Sequence, residues 1–222
     1  MSDQTASEHG SSDAESLARV IRRRHMVRRF ADRPVPTKLL DEVVAYAVRA
    51  PSAGFTQAIS LVKLTGRRVR RFWALTTLPR GANQHQLVTE PQNAWLAGMI
   101  TAPVLVLVWT DRDAYVRRYA EPDKGWGTDP DAQPWSAPYW WVDAGMAVQN
   151  VLLGASANGL GACFFGVPVD RADTVREAFG VPADQLSVGV IALGWPTDEA
   201  PIGSVQRRPR RPATELIHEE AW

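Results

Sequence analysis

The stretch from Asp143 to Gly166, DAGMAVQNVLLGASANGLGACFFG, decides how the chain is read. From Tyr139 to Asn158 the residues are apolar or small on nearly every side, with Asp143, Gln149 and Asn150 as the polar interruptions. A helix without a polar face is buried all round. In a domain this size, such burial implies that a second subunit covers one side. Asn158-Gly159 is a helix stop, and Gly161 to Val167 then reads as a short strand.

Working outward, Pro103–Thr110 (PVLVLVWT) is an unbroken apolar run, the pattern of a strand covered on both faces. Ile59–Leu64 and Leu186–Leu193 read as further strands. Helices are expected at Leu17–His25, from Pro36 to Ala50 with Pro36 in its first turn, at Val69–Thr76, at Gln84–Met99 with an interruption at Pro91, and at Asp170–Phe179 with Asp170 as cap and Asp173 in the first turn. Pro51 ends the second of these, because a proline disfavours helical geometry in the residue before it. Strands alternating with helices indicate an α/β (α+β) layered domain. Four strands make a thin sheet, which a strand borrowed from a partner's tail would thicken.

Two segments fall outside that domain and a third is an insertion within it. Residues 1–16 are Ser-, Asp- and Glu-rich and are expected to be disordered, so the domain spans 17–205. Within it, residues 119–138, YAEPDKGWGTDPDAQPWSAP, form a long aperiodic connection whose tryptophans argue for a lid or pocket wall. Residues 206–222 form an arginine- and proline-rich tail that ends in LIHEEAW.

The 222 residues carry a net charge of +1, with 45% hydrophobic and 22% charged residues, an ordinary globular composition with no basic excess for nucleic acid. Cys163 is the only cysteine, so no intrachain disulfide can form and a reducing compartment is expected. The start of the chain lacks the apolar core of a signal peptide and no run is long enough to span a bilayer, so a cytoplasmic protein without a membrane partner is expected.

Several chemistries lack their residues. Gly159-Leu160-Gly161 has no third glycine and follows a helix, which leaves a Rossmann nicotinamide site unsupported. There is no P-loop, H-E-x-x-H, paired C-x-x-C or G-x-S-x-G, and His9, His25, His85 and His218 are scattered, so no metal site is expected. The chemistry then falls to an organic cofactor. Two arginine clusters remain: Arg24, His25 and Arg28 near one end, and Arg207, Arg208, Arg210 and Arg211 near the other. Guanidinium groups supply bidentate donors to a phosphate; equally, each run reads as a solvated surface.

RHMVRRF, followed by Pro-Val-Pro and then APSAGFTQ, resembles the opening of the FMN-dependent nitroreductase family. The central stretch quoted above is similar to that family's long helix, glycine stop and cofactor-facing strand. VREAFGVPADQLSVGVIALGWP is similar to its last helix, turn and strand, and RRPRRPATELIH to its phosphate-binding tail. The resemblance covers residues 17–220 and implies three αβα layers, a mixed central sheet with helices on both faces, a C-terminal arm (206–222) packing on the partner subunit of a homodimer, and a site. Arg24 and His25 hold the FMN phosphate, with Arg208 and Arg210 closing on it from the tail. Arg28 lies near the pyrimidine edge of the flavin, where a fixed cation favours the reduced anion. Pro51, Ser52 and Ala53 come from the second subunit and line the ring and ribityl chain. Phe164, Phe165 and Gly166 face the ring, with backbone N–H groups of the last two near N5. Met26 stands where the family has a serine, and Phe55 where many members have asparagine, which makes the pocket more apolar.

The activity so implied is hydride transfer from NAD(P)H through FMN, by ping-pong kinetics, to an electron-poor aromatic, nitro or quinone-like acceptor, in a homodimer. Phe55, Trp126 and Trp135 are the candidate walls of the acceptor pocket. Trp140 and Trp141 are candidates for dimer packing, and Cys163 for an inert core thiol. Alternatives are another flavin reaction on the same fold (flavin fragmentation, reductive dehalogenation or heterocycle oxidation), a flavin or deazaflavin carrier, and a nucleic-acid binder. The near-neutral charge and the lack of a reading module speak against the last.

Overall fold

In the computed structural model, residues 2–198 and 208–222 are described, with side chains from residue 12 onward. Four strands, β1 (Ile59–Thr65), β2 (Val104–Thr110), β3 (Gly161–Phe165) and β4 (Leu186–Gly194), form one sheet in the order β1-β2-β4-β3. All three ladders are antiparallel, with Ile59 opposite Thr110, Val104 opposite Leu193 and Gly161 opposite Gly194. The expected mixed sheet is thus corrected for these strands. The parallel pairing is confined to a bridge between Met26 and Ala162, which lays the segment after the first helix along the β3 edge.

Among the described residues seven α-helices surround the sheet: α1 (Ser2–Arg23), α2 (Thr37–Ala45), α3 (Arg67–Thr77), α4 (Ala94–Met99), α5 (Arg112–Ala120), α6 (Tyr139–Ala157) and α7 (Ala172–Ala178). The layering follows from the period-two alternation of strand side chains. On one face Leu105, Leu107 and Trp109 of β2, Cys163 of β3 and Val190 and Ala192 of β4 pack with Phe72 and Trp73 of α3, Met99 of α4 and Val175 of α7. On the other face Val104, Val106 and Val108, with Ala162, Ile191 and Leu193, pack with Val43 and Val44 of α2 and Val148, Val151 and Leu152 of α6. All seven residues of β2 are buried, as its unbroken apolar sequence requires.

Several boundaries differ from the sequence reading. The helix expected to begin at Leu17 runs back to Ser2, where residues 1–16 were expected to be disordered. No proline interrupts Ser2–Arg23, and Gly10 is the one weak helix former of that kind. Pro36 occupies the cap position before α2 rather than its first turn, and a 3-10 turn at Tyr46–Arg49 completes the expected span to Ala50. Of the helix expected over 84–99 only Ala94–Met99 forms, below Pro91, with Asn93 capping it by accepting from the Leu96 N–H at 2.9 Å. Asp170 lies in a 3-10 turn and Arg171 takes the cap of α7, with Asp173 in the first turn as expected. Helix α5 was missed. Its signal is Asp111, whose carboxylate accepts from the Ala114 N–H at 3.0 Å. Helix α6 is also not buried all round: Trp141 and Val142 are about two-fifths exposed. Arg207 and the expected boundary at 205–206 lie outside the described residues.

Candidate functional site

The chain leaves α1 as an extended segment along β3. Val27 N–H donates to the Ala162 carbonyl at 2.9 Å, Phe30 N–H to Thr101 Oγ1 at 2.9 Å, and Ala31 N–H to the Trp195 carbonyl at 2.8 Å. Arg23 donates to the Ser156 carbonyl near the end of α6, where cations also complement the helix dipole. Between these elements lies a pocket of about 280 Å³, lined by Arg23, Arg24, His25, Val27 and the turn Gly159–Ala162. His25 Nδ1 lies 3.0 Å from the Arg23 carbonyl. Nη1 of Arg24 is buried and has no hydrogen-bond partner. A buried guanidinium donor without an acceptor is costly, and an acceptor atom bound in this pocket would satisfy it.

Arg28 runs beside β3, close enough for its charge to lower the Cys163 thiol slightly against the larger, raising effect of burial. Met26 is half-buried against both cores. Helix α4 sits directly on this segment: a Cβ added to Gly98 would come within 2.1 Å of the Arg28 carbonyl oxygen. Cys163 is buried, with its thiol pushed up, so it should react with thiol reagents only on unfolding. Labelling kinetics in native buffer against denaturant check this; rapid native modification would contradict the packing.

At the far end of β3, Phe165 stacks on Trp73 (5.5 Å between centroids, 8° between planes) and meets Trp95 edge-on at 5.5 Å. Phe164 turns to the other core, packed where a side chain at Gly189 would be. Around Gly166 a Cβ would meet nothing within 4 Å.

The loop after the 3-10 turn makes a second pocket of about 120 Å³. Its lining includes Val48, Pro51, Ser52, Thr110, Tyr115 and Asp143. Asp143, 7% exposed, accepts from the Ala53 N–H and from the Tyr115 hydroxyl, both at 2.7 Å. Burial first, and the Asp143 bond second, push the Tyr115 phenol well above the usual tyrosine range. Phe55 is 76% exposed.

The 119–138 segment is packed. Trp126 and Trp135 lie 4.6 and 4.5 Å from Tyr119, and the Gln133 amide donates to the carbonyls of Val116 and Gly127. Both tryptophans are half-buried in this aromatic cluster, and neither lines the two pockets. In the arm, residues 208–222 are all exposed. Arg208 and Arg210 do not line the Arg24 pocket within one chain. The structure therefore brings Arg24 and His25 together, sets Pro51 and Ser52 at a separate pocket with Ala53 tied to its Asp143 wall, and leaves the arm apart from both. Sequence reading missed the Asp143–Tyr115 pair, although Asp143 stood out as an acid inside an apolar helix.

Comparison with known proteins resolves the family. The model of the nitroreductase family matches residues 21–195. The chain belongs to the nitroreductase family. A protein from Desulfovibrio desulfuricans assigned as a nitroreductase and solved in complex with FMN is 25% identical, with a TM-score of 0.65 over 93% of this chain and 97% of that one. Nitroreductase A from Vibrio parahaemolyticus is 22% identical, with a TM-score of 0.66 over 93% and 77% of the two chains. A nitroreductase family protein from Streptococcus pneumoniae is 18% identical, with a TM-score of 0.66 over 92% and 100%. The αβα layering is thus that of a nitroreductase. Among the described residues no cluster of His, Cys, Asp or Glu could hold a metal ion, and no helix is long and apolar enough to cross a membrane.

Proposed function

We propose that this nitroreductase is an FMN-dependent oxidoreductase that works as a homodimer, taking hydride from NAD(P)H and reducing an electron-poor aromatic, nitro or quinone-like acceptor. The observation that carries the reading is the buried, partnerless Nη1 of Arg24 in a pocket beside the β3 edge. A phosphate oxygen is the kind of acceptor that satisfies it. The FMN complex of the Desulfovibrio desulfuricans relative supports the same choice.

In this reading Arg24 and His25 bind the phosphate, and Arg208 and Arg210 reach it from the arm. Arg28 places a fixed positive charge by the flavin ring, while the backbone of Phe165 and Gly166 borders it, with Phe164 and Met26 packed behind. Pro51, Ser52, Ala53 and Phe55 close the ring from the partner subunit. The isoalloxazine supplies the two-electron chemistry, and the protein binds, orients and excludes water. Unpartnered apolar surface supports pairing: Val48, Phe55, Trp141 and Val142 on the body and Leu216, Ile217 and Trp222 on the arm are exposed. The exposed Phe55 also favours a second reading, in which the same flavin site performs another reaction on a more apolar substrate.

Purified protein should show flavin absorption or regain it with FMN, lose it on anaerobic addition of NADH or NADPH, and sediment as a dimer. A colourless protein that FMN cannot reconstitute would overturn the reading.

A further inference from the structure

The loop Ser52–Gln57 holds a conformation that its sequence does not favour. Gly54, Phe55 and Gln57 have φ values of 60°, 55° and 55°, a left-handed geometry that costs energy at the two non-glycine positions. Such a run persists only if its surroundings fix it. Within the loop the Gln57 N–H donates to Ser52 Oγ at 2.9 Å and Thr56 Oγ1 to the Ala53 carbonyl at 2.7 Å, and two side chains from other elements hold two further backbone groups. The buried Asp143 carboxylate accepts the Ala53 N–H at 2.7 Å while also holding the Tyr115 hydroxyl. Arg118 Nε donates to the Gly54 carbonyl at 2.7 Å, and its two terminal nitrogens grip both oxygens of Asp123 at 2.7 and 2.8 Å. Gly54 itself packs so closely that a Cβ would lie 2.9 Å from the Tyr119 ring. Phe55 is thereby held out into solvent.

No residue that the loop displays explains this arrangement within the single chain. Among the described residues Asp143 also has no cationic partner to justify its burial: its two bonds are to neutral donors, one of them the loop backbone. A buried carboxylate kept on those terms serves the geometry it fixes.

We propose that Asp143 is the positioning residue of the flavin site in trans. With Arg118, it holds the Ala53–Phe55 backbone in the shape that closes on FMN bound to the partner's Arg24. The proposal rests on the FMN reading above. Asp143 acts here through hydrogen-bond acceptance, so Asp143→Asn, which keeps an acceptor oxygen, should substitute for it, whereas Asp143→Ala should not.

The test is FMN binding by absorption and fluorescence titration, in single variants and in co-expressed pairs carrying different affinity tags. Wild type and Asp143→Asn should bind alike, and Asp143→Ala should bind FMN about tenfold or more weakly. In an Arg24→Ala/Asp143→Ala mixed dimer, one site combines an intact Arg24 with an intact loop and the other has lost both. Half of the sites should regain wild-type FMN affinity, although every site of either parent homodimer is weakened. A structural role alone would not produce this rescue. Wild-type affinity in Asp143→Ala, or a mixed dimer no better than its parents, overturns the proposal. If Asp143→Ala fails to fold, Arg118→Ala, which removes the other restraint from a more exposed position, takes its place in both measurements. Failure of wild type itself to bind FMN would instead refute the FMN reading.

Discussion

Arg24→Ala should weaken FMN binding by about ten- to a hundredfold, the equivalent of one charge-assisted hydrogen bond of roughly 1.5–3 kcal/mol. The cofactor-free protein should lose no stability and could gain some. The two effects have one origin. Nη1 of Arg24 is already desolvated without a partner, so the folded chain bears its cost before any ligand arrives. Removing it relieves that cost and deletes the acceptor's best donor together. Arg22→Ala, on the exposed surface of α1, is the matched control and should leave binding unchanged. Titration of FMN into both variants, with thermal melts of the apo forms, checks the pair of outcomes. Equal affinity in Arg24→Ala and wild type would remove the phosphate assignment, and a large loss of apo stability would show that Arg24 has a structural partner.

Gly98→Ala sets two effects of opposite sign against each other. Within a helix, replacing glycine by alanine ordinarily stabilises by about 1 kcal/mol. Here the new Cβ would stand 2.1 Å from the Arg28 carbonyl oxygen, with no flexible side chain to move aside. Either α4 shifts away from the sheet or the Arg28–Arg29 backbone does, and overpacking of this kind costs about 1–3 kcal/mol and sometimes more. The clash should win, giving a net loss near the upper end of that range and a drop in Tm on the order of 10 °C. Because the displaced backbone carries Arg28, FMN affinity should fall as well. A variant as stable as wild type, or more so, would show that α4 does not rest on this segment.

The elements most legible in the sequence were those whose hydrophobic pattern is decided by the fold's own layers. The run of β2 announced burial on both faces, and the apolar α6 and its Asn158-Gly159 stop fell within a residue of their expected ends. Where local chemistry ruled instead, the reading failed. Pro91 and Asn93 delay α4 until residue 94, and Asp111 starts a helix that periodicity did not reveal, since α5 is strongly polar. The antiparallel ladders were not readable at all, because strand direction depends on how the connections wrap and leaves little trace in composition.

The site was legible in part. Arg24 and His25 line one pocket; on spacing alone the arginine runs read as solvated surface, and the phosphate role came only from the family resemblance. Arg208 and Arg210 stay exposed in one chain, and Pro51 and Ser52 line a different pocket, so in the proposed site the remaining groups would have to be supplied across copies. Asp143 illustrates why the rest was hidden. An acid within an apolar helix is visible in the sequence, but its partners Ala53 and Tyr115 are distant along the chain and only the fold brings them within 2.7 Å.

Strand β2 gives alternate side chains to the two opposed cores, so neither core can come apart while the other stays intact. Helices on opposite sides of the molecule are joined through one seven-residue backbone and should melt as a single cooperative unit. The amides of Val104–Thr110 should then be the slowest to exchange with solvent deuterium, opening only when the whole domain does.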